Sequence, residues 1–410
     1  MIFHHKITIV INAKYIYINA QIDSCSIYIF SIINLWVKIM VDVNNLTIGV
    51  EEEYQIINPE SRELIGRAGQ IIPAARESLG EDIVQPEMHR SQIEIATSIC
   101  QDLAEVRRQL IRSRQAILES AQQNGQVIAA AGTHPFSHWK DQKITQKKRY
   151  QKLQQNYQHI IRDLIIFGCH IHINMPDKEE AIAVINKARN WLSVLLALAA
   201  NSPFWLGEKT GYASYRTELW YRFPLTGPPA YFETYQEYLD FVQTLIQTDI
   251  VEDATTIYWD IRVSDRYPTI EFRVTDICLT VDEAVMIAGL IQGLVLTCAN
   301  EIKQNQSLII VHPELLRTAH WNAARYGLGE NLIDVIEKRS IPAIELVNQF
   351  LNYIRPALEE LGTWEEVSAL VARTLTEGNA AQRQLQVYKN TGNWEEVVDY
   401  IVEQTALGIV

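Results

Sequence analysis

The sequence predicts an α+β fold with a mostly antiparallel sheet, on three observations. Strand-like segments at 46–57, 91–97, 126–133, 165–174, 256–263 and 269–277 all precede residue 312. Helical patterns fall between several of them. Beyond residue 312 no strand pattern remains, and amphipathic helices at 341–361, 363–376, 379–389 and 394–405 follow one another. Strands interleaved with long helices, then helices alone, is an α+β arrangement.

The first strand, Thr47-Ile48-Gly49-Val50-Glu51-Glu52-Glu53-Tyr54-Gln55-Ile56-Ile57, sets three consecutive carboxylates inside an apolar, β-branched run. Alternation puts Glu51 and Glu53 on one face and Glu52 on the other, among Ile48, Val50, Tyr54 and Ile56. Carboxylates this close repel one another, and their burial demands cations. A sheet edge blunted by charge is the plainer alternative for this run alone. The second strand follows Gln85-Pro86-Glu87-Met88-His89-Arg90-Ser91 and contains Gln92-Ile93-Glu94-Ile95. Gln92 and Glu94 face one way, Ile93 and Ile95 the other. Glu87 has the wrong parity to join Glu94 on a continuous strand, so a bend or bulge must intervene.

Leu103, Val106, Leu110, Ile117 and Ala121 recur at helical spacing before the 126–133 strand. Phe167-Gly168-Cys169-His170-Ile171-His172-Ile173-Asn174 puts two imidazoles on one face, where they can contact a metal or phosphate or be ordinary hydrogen-bonded core residues. A helix at about 178–200 is opened by Asp177 and closed by Asn201-Ser202-Pro203. Ser214-Tyr215-Arg216-Thr217-Glu218-Leu219-Trp220-Tyr221-Arg222-Phe223-Pro224 reads as a basic-aromatic loop, and a helix is expected at 233–249. Tyr258-Trp259-Asp260-Ile261-Arg262 brings Arg262 close to the last strand, where Glu271 and Arg273 share a face opposite Phe272 and Val274. The simple reading of Glu271 and Arg273 is an ion pair. The chemical one is a carboxylate metal ligand beside a guanidinium that grips a phosphoryl group. Val281 to Lys303, capped by Thr280, is a core helix, since charge and glycine interrupt its apolar run.

The 410 residues suit one large catalytic domain over 40–410, with a sheet-containing core at 46–311 and a helical layer at 312–410. Residues 1–39 are rich in Ile, Tyr and Asn; their longest apolar stretch is too short to span a bilayer, and no secretory cleavage site follows it. They are expected to be dispensable, the alternative being an added strand or membrane-surface segment. A net charge of −13 argues against a nucleic-acid backbone as partner. Five scattered cysteines without C-x-x-C spacing fit a reducing compartment such as the cytoplasm, and no structural zinc site.

Glu and His with Arg nearby, and no Cys, favour Mg²⁺ or Mn²⁺ over zinc. Carboxylate-held cations with arginines are what phosphoryl transfer requires. Neither a P-loop nor a Rossmann glycine pattern is present to bind the nucleotide.

At these residues the chain resembles the glutamate–cysteine ligase family, in its bacterial type 2 carboxylate-amine ligase branch. The likeness runs from Thr47 nearly to the C-terminus. It includes Gly49-Val50-Glu51-Glu52-Glu53, the Glu87 to Glu94 segment, Ala131-Gly132-Thr133-His134-Pro135-Phe136 and the H-x-H strand. It also includes Asn201-Ser202-Pro203-Phe204-Trp205, Ser214-Tyr215-Arg216-Thr217, Tyr258-Trp259-Asp260-Ile261-Arg262 and Glu271-Phe272-Arg273. One departure is Phe167-Gly168-Cys169, where relatives more often carry Cys-Gly-Leu.

The resemblance implies a glutamine-synthetase-like fold: a curved antiparallel sheet forming a funnel, with helices packed outside. It implies Mg²⁺ ligands at Glu51, Glu53, Glu87, Glu94 and Glu271, with His170 or His172. It also implies ATP and phosphate contacts from Arg216, Arg262 and Arg273, Arg216 and Arg273 being catalytic. The activity implied is ATP-dependent ligation through an acyl phosphate, joining glutamate to cysteine and so serving glutathione biosynthesis. A different amine acceptor or a metal-dependent hydrolase on the same residues are the alternatives. No nucleic-acid or membrane partner is expected, and relatives suggest a homo-oligomer.

Overall fold

Alternation of side chains builds a central sheet with two chemically different faces. The computed structural model describes residues 8–12, 15–19, 45–249, 251 and 253–409. Among them, seven strands form this sheet: β1 (Ile48–Ile57), β2 (Val84–Pro86), β3 (Gln92–Ala96), β4 (Val127–Ala129), β5 (Gly168–Asn174), β6 (Ile261–Val263) and β7 (Thr269–Asp276). Their order is β6-β7-β5-β1-β3-β2, with β4 also paired to β1, and every pairing is antiparallel.

The first face is apolar. Ile48, Val50, Tyr54 and Ile56 of β1, Ile93 and Ile95 of β3, Ile171 and Ile173 of β5, and Ile270 and Phe272 of β7 are all buried. Helix Leu103–Gln123 packs over β1, Val281–Lys303 over β5 and β1, and Leu192–Ala199 over β7. Glu52 sits on this side, fully buried. Arg114 of the first of these helices donates to it through Nη2 at 2.5 Å and Nε at 3.2 Å, and Tyr54 adds its hydroxyl. Arg114 also donates to the carbonyls of Cys278 and Leu279, both at 2.9 Å. Such a pair survives burial because its remaining donors are satisfied.

Several expectations need correction. Residues 214–224 are not all loop: Tyr215–Trp220 is a helix, and the Ser214 side chain caps it by accepting from Thr217 N. After residue 312 a β-hairpin, Asn331–Asp334 with Arg339–Pro342, interrupts the helices. Each of its strands has four residues, too few for alternation to show. The 178–200 helix is divided into Lys178–Ala188 and Leu192–Ala199 by a 3₁₀ turn at Arg189–Trp191. The 256–263 strand breaks at Asp260: Tyr258–Trp259 pairs in parallel with Thr226–Gly227, while Ile261–Val263 pairs with β7.

Lys178–Ala199 and Val281–Lys303 are the two helical stretches, among the described residues, long and apolar enough to cross a bilayer. Their apolar windows are 94% and 78% buried inside the protein, so both are core elements. Cys100, Cys169, Cys278 and Cys298 are free and buried.

Met1–Asp42 forms a separate unit from Val43–Val410. Within it Thr8–Asn12 pairs antiparallel with Tyr15–Asn19. The longest apolar stretch of residues 1–39, near 27–37, lies outside the described residues.

Candidate functional site

The second face of the sheet carries the ionisable groups, and strand register sets their positions. Glu51 of β1 lies opposite His170 of β5, Glu53 opposite Glu94 of β3, and Glu271 of β7 opposite His172. Residues directly opposite on neighbouring strands have side chains within reach of one another. Glu87 arrives differently. The chain leaves β2 at Pro86 and turns before β3 begins at Gln92, which is the bend that parity demanded. Carboxylate oxygens of Glu53, Glu87 and Glu94 then all lie within 4.8 Å of one another.

Two subsets differ in electrostatics. Glu53 and Glu94 are short of positive charge. Burial first, and then the Glu87 charge, push Glu53 from 4.5 to about 7, against the pull of Arg216, the Gly168 N–H and Arg273. Burial followed by the charges of Glu51, Glu87 and Glu53 drives Glu94 well above the carboxylate range. Glu51 is the opposite case. Burial raises it, but His170 and His172 outweigh burial and hold it well below the usual range. His170 Nδ1 lies 3.1 Å from Glu51 Oε2, and His172 Nε2 lies 3.5 Å from Oε1. Burial and Arg273 lower His170 to about 4, whereas Glu51 overcomes burial at His172 and raises it. His170 lines the hollow with Glu53 and Glu87; His172 Nδ1 is 2.9 Å from Thr269 Oγ1 at the start of β7.

Both oxygens of Glu271 are engaged by guanidinium groups. Arg262 donates to them at 2.9 Å and 3.2 Å, and Arg273 bonds Oε1. The ion-pair reading of this strand is therefore the observed arrangement. Arg273 and Arg216 line the hollow along with Glu53, Glu87 and His170, whereas Arg262 stands behind Glu271. The Nε atoms of Arg216 and Arg273 are buried without a hydrogen-bond partner among the described residues. Such donors are suited to an anion.

The hollow measures about 110 Å³ and has an apolar wall that includes Leu153, Ile166, Trp220, Phe223 and Tyr258. A neighbouring cavity of about 670 Å³ shares Arg149 and Leu153 with it. Two contributors escaped the sequence reading. Helix Lys148–Tyr157 brings Arg149 and Tyr150 to the rim, and the Tyr150 hydroxyl donates to Glu87 Oε2 at 3.2 Å. Tyr150, Leu153 and Tyr157 recur at helical spacing, a signal masked by the surrounding Lys and Gln.

Comparison with known proteins shows the family and the fold. The family model described as glutamate–cysteine ligase family 2 matches residues 47–403. A protein of Rhodopirellula baltica named "Putative glutamate--cysteine ligase 2" is 40% identical over 363 residues, which are 88% of this chain and 96% of that protein. One of the same name from Herpetosiphon aurantiacus is also 40% identical over 363 residues, covering 88% of this chain and 94% of that one. Among solved structures, glutamate–cysteine ligase from Francisella tularensis in complex with AMP gives a TM-score of 0.69 at 12% identity, covering 89% of this chain and 90% of that one. A bifunctional glutathione synthetase from Pasteurella multocida gives 0.68 at 14% identity, covering 90% of this chain but 53% of that one. At such identities the likeness is one of fold, and it accords with the α+β class expected.

Proposed function

The chain belongs to glutamate–cysteine ligase family 2, and from that premise we propose that it joins the γ-carboxylate of glutamate to the amine of cysteine, using ATP and an acyl-phosphate intermediate. One observation carries the reading. Carboxylates of Glu53, Glu87 and Glu94 converge within 4.8 Å of one another, and Glu53 and Glu87 line a hollow that two arginines, Arg216 and Arg273, also line. That combination suits phosphoryl transfer.

The donor set fits divalent cations. Among the described residues these three mutually repelling hard oxygen donors form no ion pair, and Mg²⁺ or Mn²⁺ would supply a positive partner. Glu53, Glu87 and Glu94 would hold one ion, and Glu51 with His170 and Glu271 a second. When bound, such ions neutralise the phosphate charges and make the γ-phosphorus open to attack. Arg273 and Arg216 take the phosphoryl oxygens, and Arg262 braces Glu271. The two imidazoles keep Glu51 ionised. The apolar wall keeps water from the activated carboxyl until the amine arrives. The adjoining 670 Å³ cavity gives nucleotide-sized room that the smaller hollow lacks.

The test is ADP release with glutamate and Mg²⁺, with and without cysteine. ADP should form with both substrates and Mg²⁺ present, and Glu51→Gln and Glu271→Gln should each abolish it. Wild-type-like turnover in both variants overturns the site assignment. Turnover without ATP indicates the hydrolase alternative, and ADP formation with another amine from a panel reassigns the acceptor.

A further inference from the structure

Asp276 ends β7, opposite Gly168 of β5, and is fully buried. Its carboxylate gathers segments that lie far apart in sequence. Oδ2 accepts from Asn201 N at 2.8 Å and from Ser202 Oγ at 2.7 Å; Oδ1 accepts from Ser214 Oγ at 2.8 Å. A Cβ on Gly132 would lie 2.8 Å from Asp276 Cγ, so that position admits only glycine without a shift. The Ala131-Gly132-Thr133, Asn201-Ser202-Pro203 and Ser214-Tyr215-Arg216 segments noted in the sequence thus share one centre. Gln384, from helix Ala380–Thr391, anchors Asn201 Oδ1 from outside at 2.6 Å.

Two of these bonds, those of Ser202 and Ser214, lead to Arg216. Ser202 Oγ, oriented by Asp276, accepts from Arg216 N at 3.0 Å. Ser214, also oriented by Asp276, caps the helix on which Arg216 stands. Asp276 Oδ1 itself lies 3.8 Å from Arg216 Nη1. Gly168 forms the floor: a Cβ there would collide with Arg216 Nη2 and lie 3.2 Å from His170 Nε2. The Gly168 N–H meanwhile donates to Glu53 Oε2 at 2.7 Å.

We propose that Asp276 and Gly168 are positioning residues that aim the Arg216 guanidinium at the transferring phosphoryl group. This rests on the ligase reading above. Neither residue need touch substrate. Asp276 fixes the backbone, the helix start and one face of the guanidinium, and Gly168 leaves the space through which the side chain crosses β5.

The test is a double-mutant cycle on the full chain: wild type, Asp276→Asn, Arg216→Ala and the pair, with ADP-release kinetics and thermal melts on all four. Asp276→Asn should lower kcat by about 10- to 100-fold, the scale of a misplaced catalytic group, with a smaller change in KM for ATP. In the Arg216→Ala background the same substitution should change kcat less than about twofold. An equal loss in both backgrounds overturns the proposal, because a merely structural Asp276 would weaken both. If Asp276→Asn does not fold, Gly168→Ala replaces it in the cycle. It should impair the wild type yet be tolerated beside Arg216→Ala, where the colliding atoms are gone; equal impairment refutes it. Should the wild type form no ADP with any substrate, the functional reading fails. The melts then still report the coupling of positions 276 and 216, and purely additive melting shifts overturn the cradle by themselves.

Discussion

Replacing Glu53 by Gln separates what the acidic cluster costs the fold from what it gives the chemistry. Glu53 is held at about 7 instead of 4.5, chiefly by burial and next by the charge of Glu87. At about 1.4 kcal/mol per pH unit, that interval corresponds to about 3 kcal/mol against the folded state once the group is fully ionised. The sign follows from the direction. Below about 4.5 the carboxyl is protonated in folded and unfolded chains alike and costs nothing; the cost grows as pH rises and is complete above about 7. Glutamine keeps an oxygen to accept from the Gly168 N–H and carries no charge. Urea melts in the presence of a chelator should therefore find the variant more stable than the wild type by about 1–3 kcal/mol at pH 8, and nearly equal at pH 4. Added Mg²⁺ should stabilise the wild type more than the variant, since ligand binding stabilises only the state that binds it. A variant less stable than wild type at pH 8 in chelator would show that these carboxylates are not in tension, and the argument for cations here would fall with it.

On the opposite face, Arg114→Met leaves Glu52 buried without its cation and should cost about 3–5 kcal/mol in urea unfolding; adding Glu52→Gln should recover much of it, and an unaffected single variant would refute the pairing. Tyr150→Phe removes the hydroxyl that bonds Glu87. This should cost about 0.5–1.5 kcal/mol of support for that carboxylate, seen as a severalfold higher Mg²⁺ requirement; an unchanged Mg²⁺ activation curve would dismiss that role. Thr280→Ala breaks the capping box with Glu283 at the start of the Val281–Lys303 helix. A loss of about 1 kcal/mol in thermal melts is expected, with ADP formation unchanged.

Strand alternation was the most legible part of the chain. Period two alone separates Glu52 from Glu51 and Glu53, and the structure gives Glu52 to Arg114 and its neighbours to the site. It likewise gives Ile171 and Ile173 to the core, and His170 and His172 to the other face. What alternation could not supply was anything that depends on a turn. Glu87 joins the cluster because the chain bends after Pro86, and parity argued only that some bend was needed. Arg216 was visible as a residue but not as part of a helix, because six residues cannot display a helical period and Ser214 is recognisable as a cap only once the helix is known. Asp276 was invisible for a different reason. Its partners lie some 60 to 75 positions away, and no local pattern records a contact at that separation.

The buried Arg114 facing β1 has a consequence for how this sheet can assemble. Shifting β1 by one residue against its neighbours would turn Glu52 toward the ionisable face and drive Glu51 and Glu53 together into the apolar layer. Among the described residues, Arg114 is the guanidinium paired there with Glu52, so a second carboxylate would be stranded without a countercharge. A mispaired sheet is thus penalised by the very acids that equip the correct one, and three glutamates in a row act as a notch into which the strand can settle in one way.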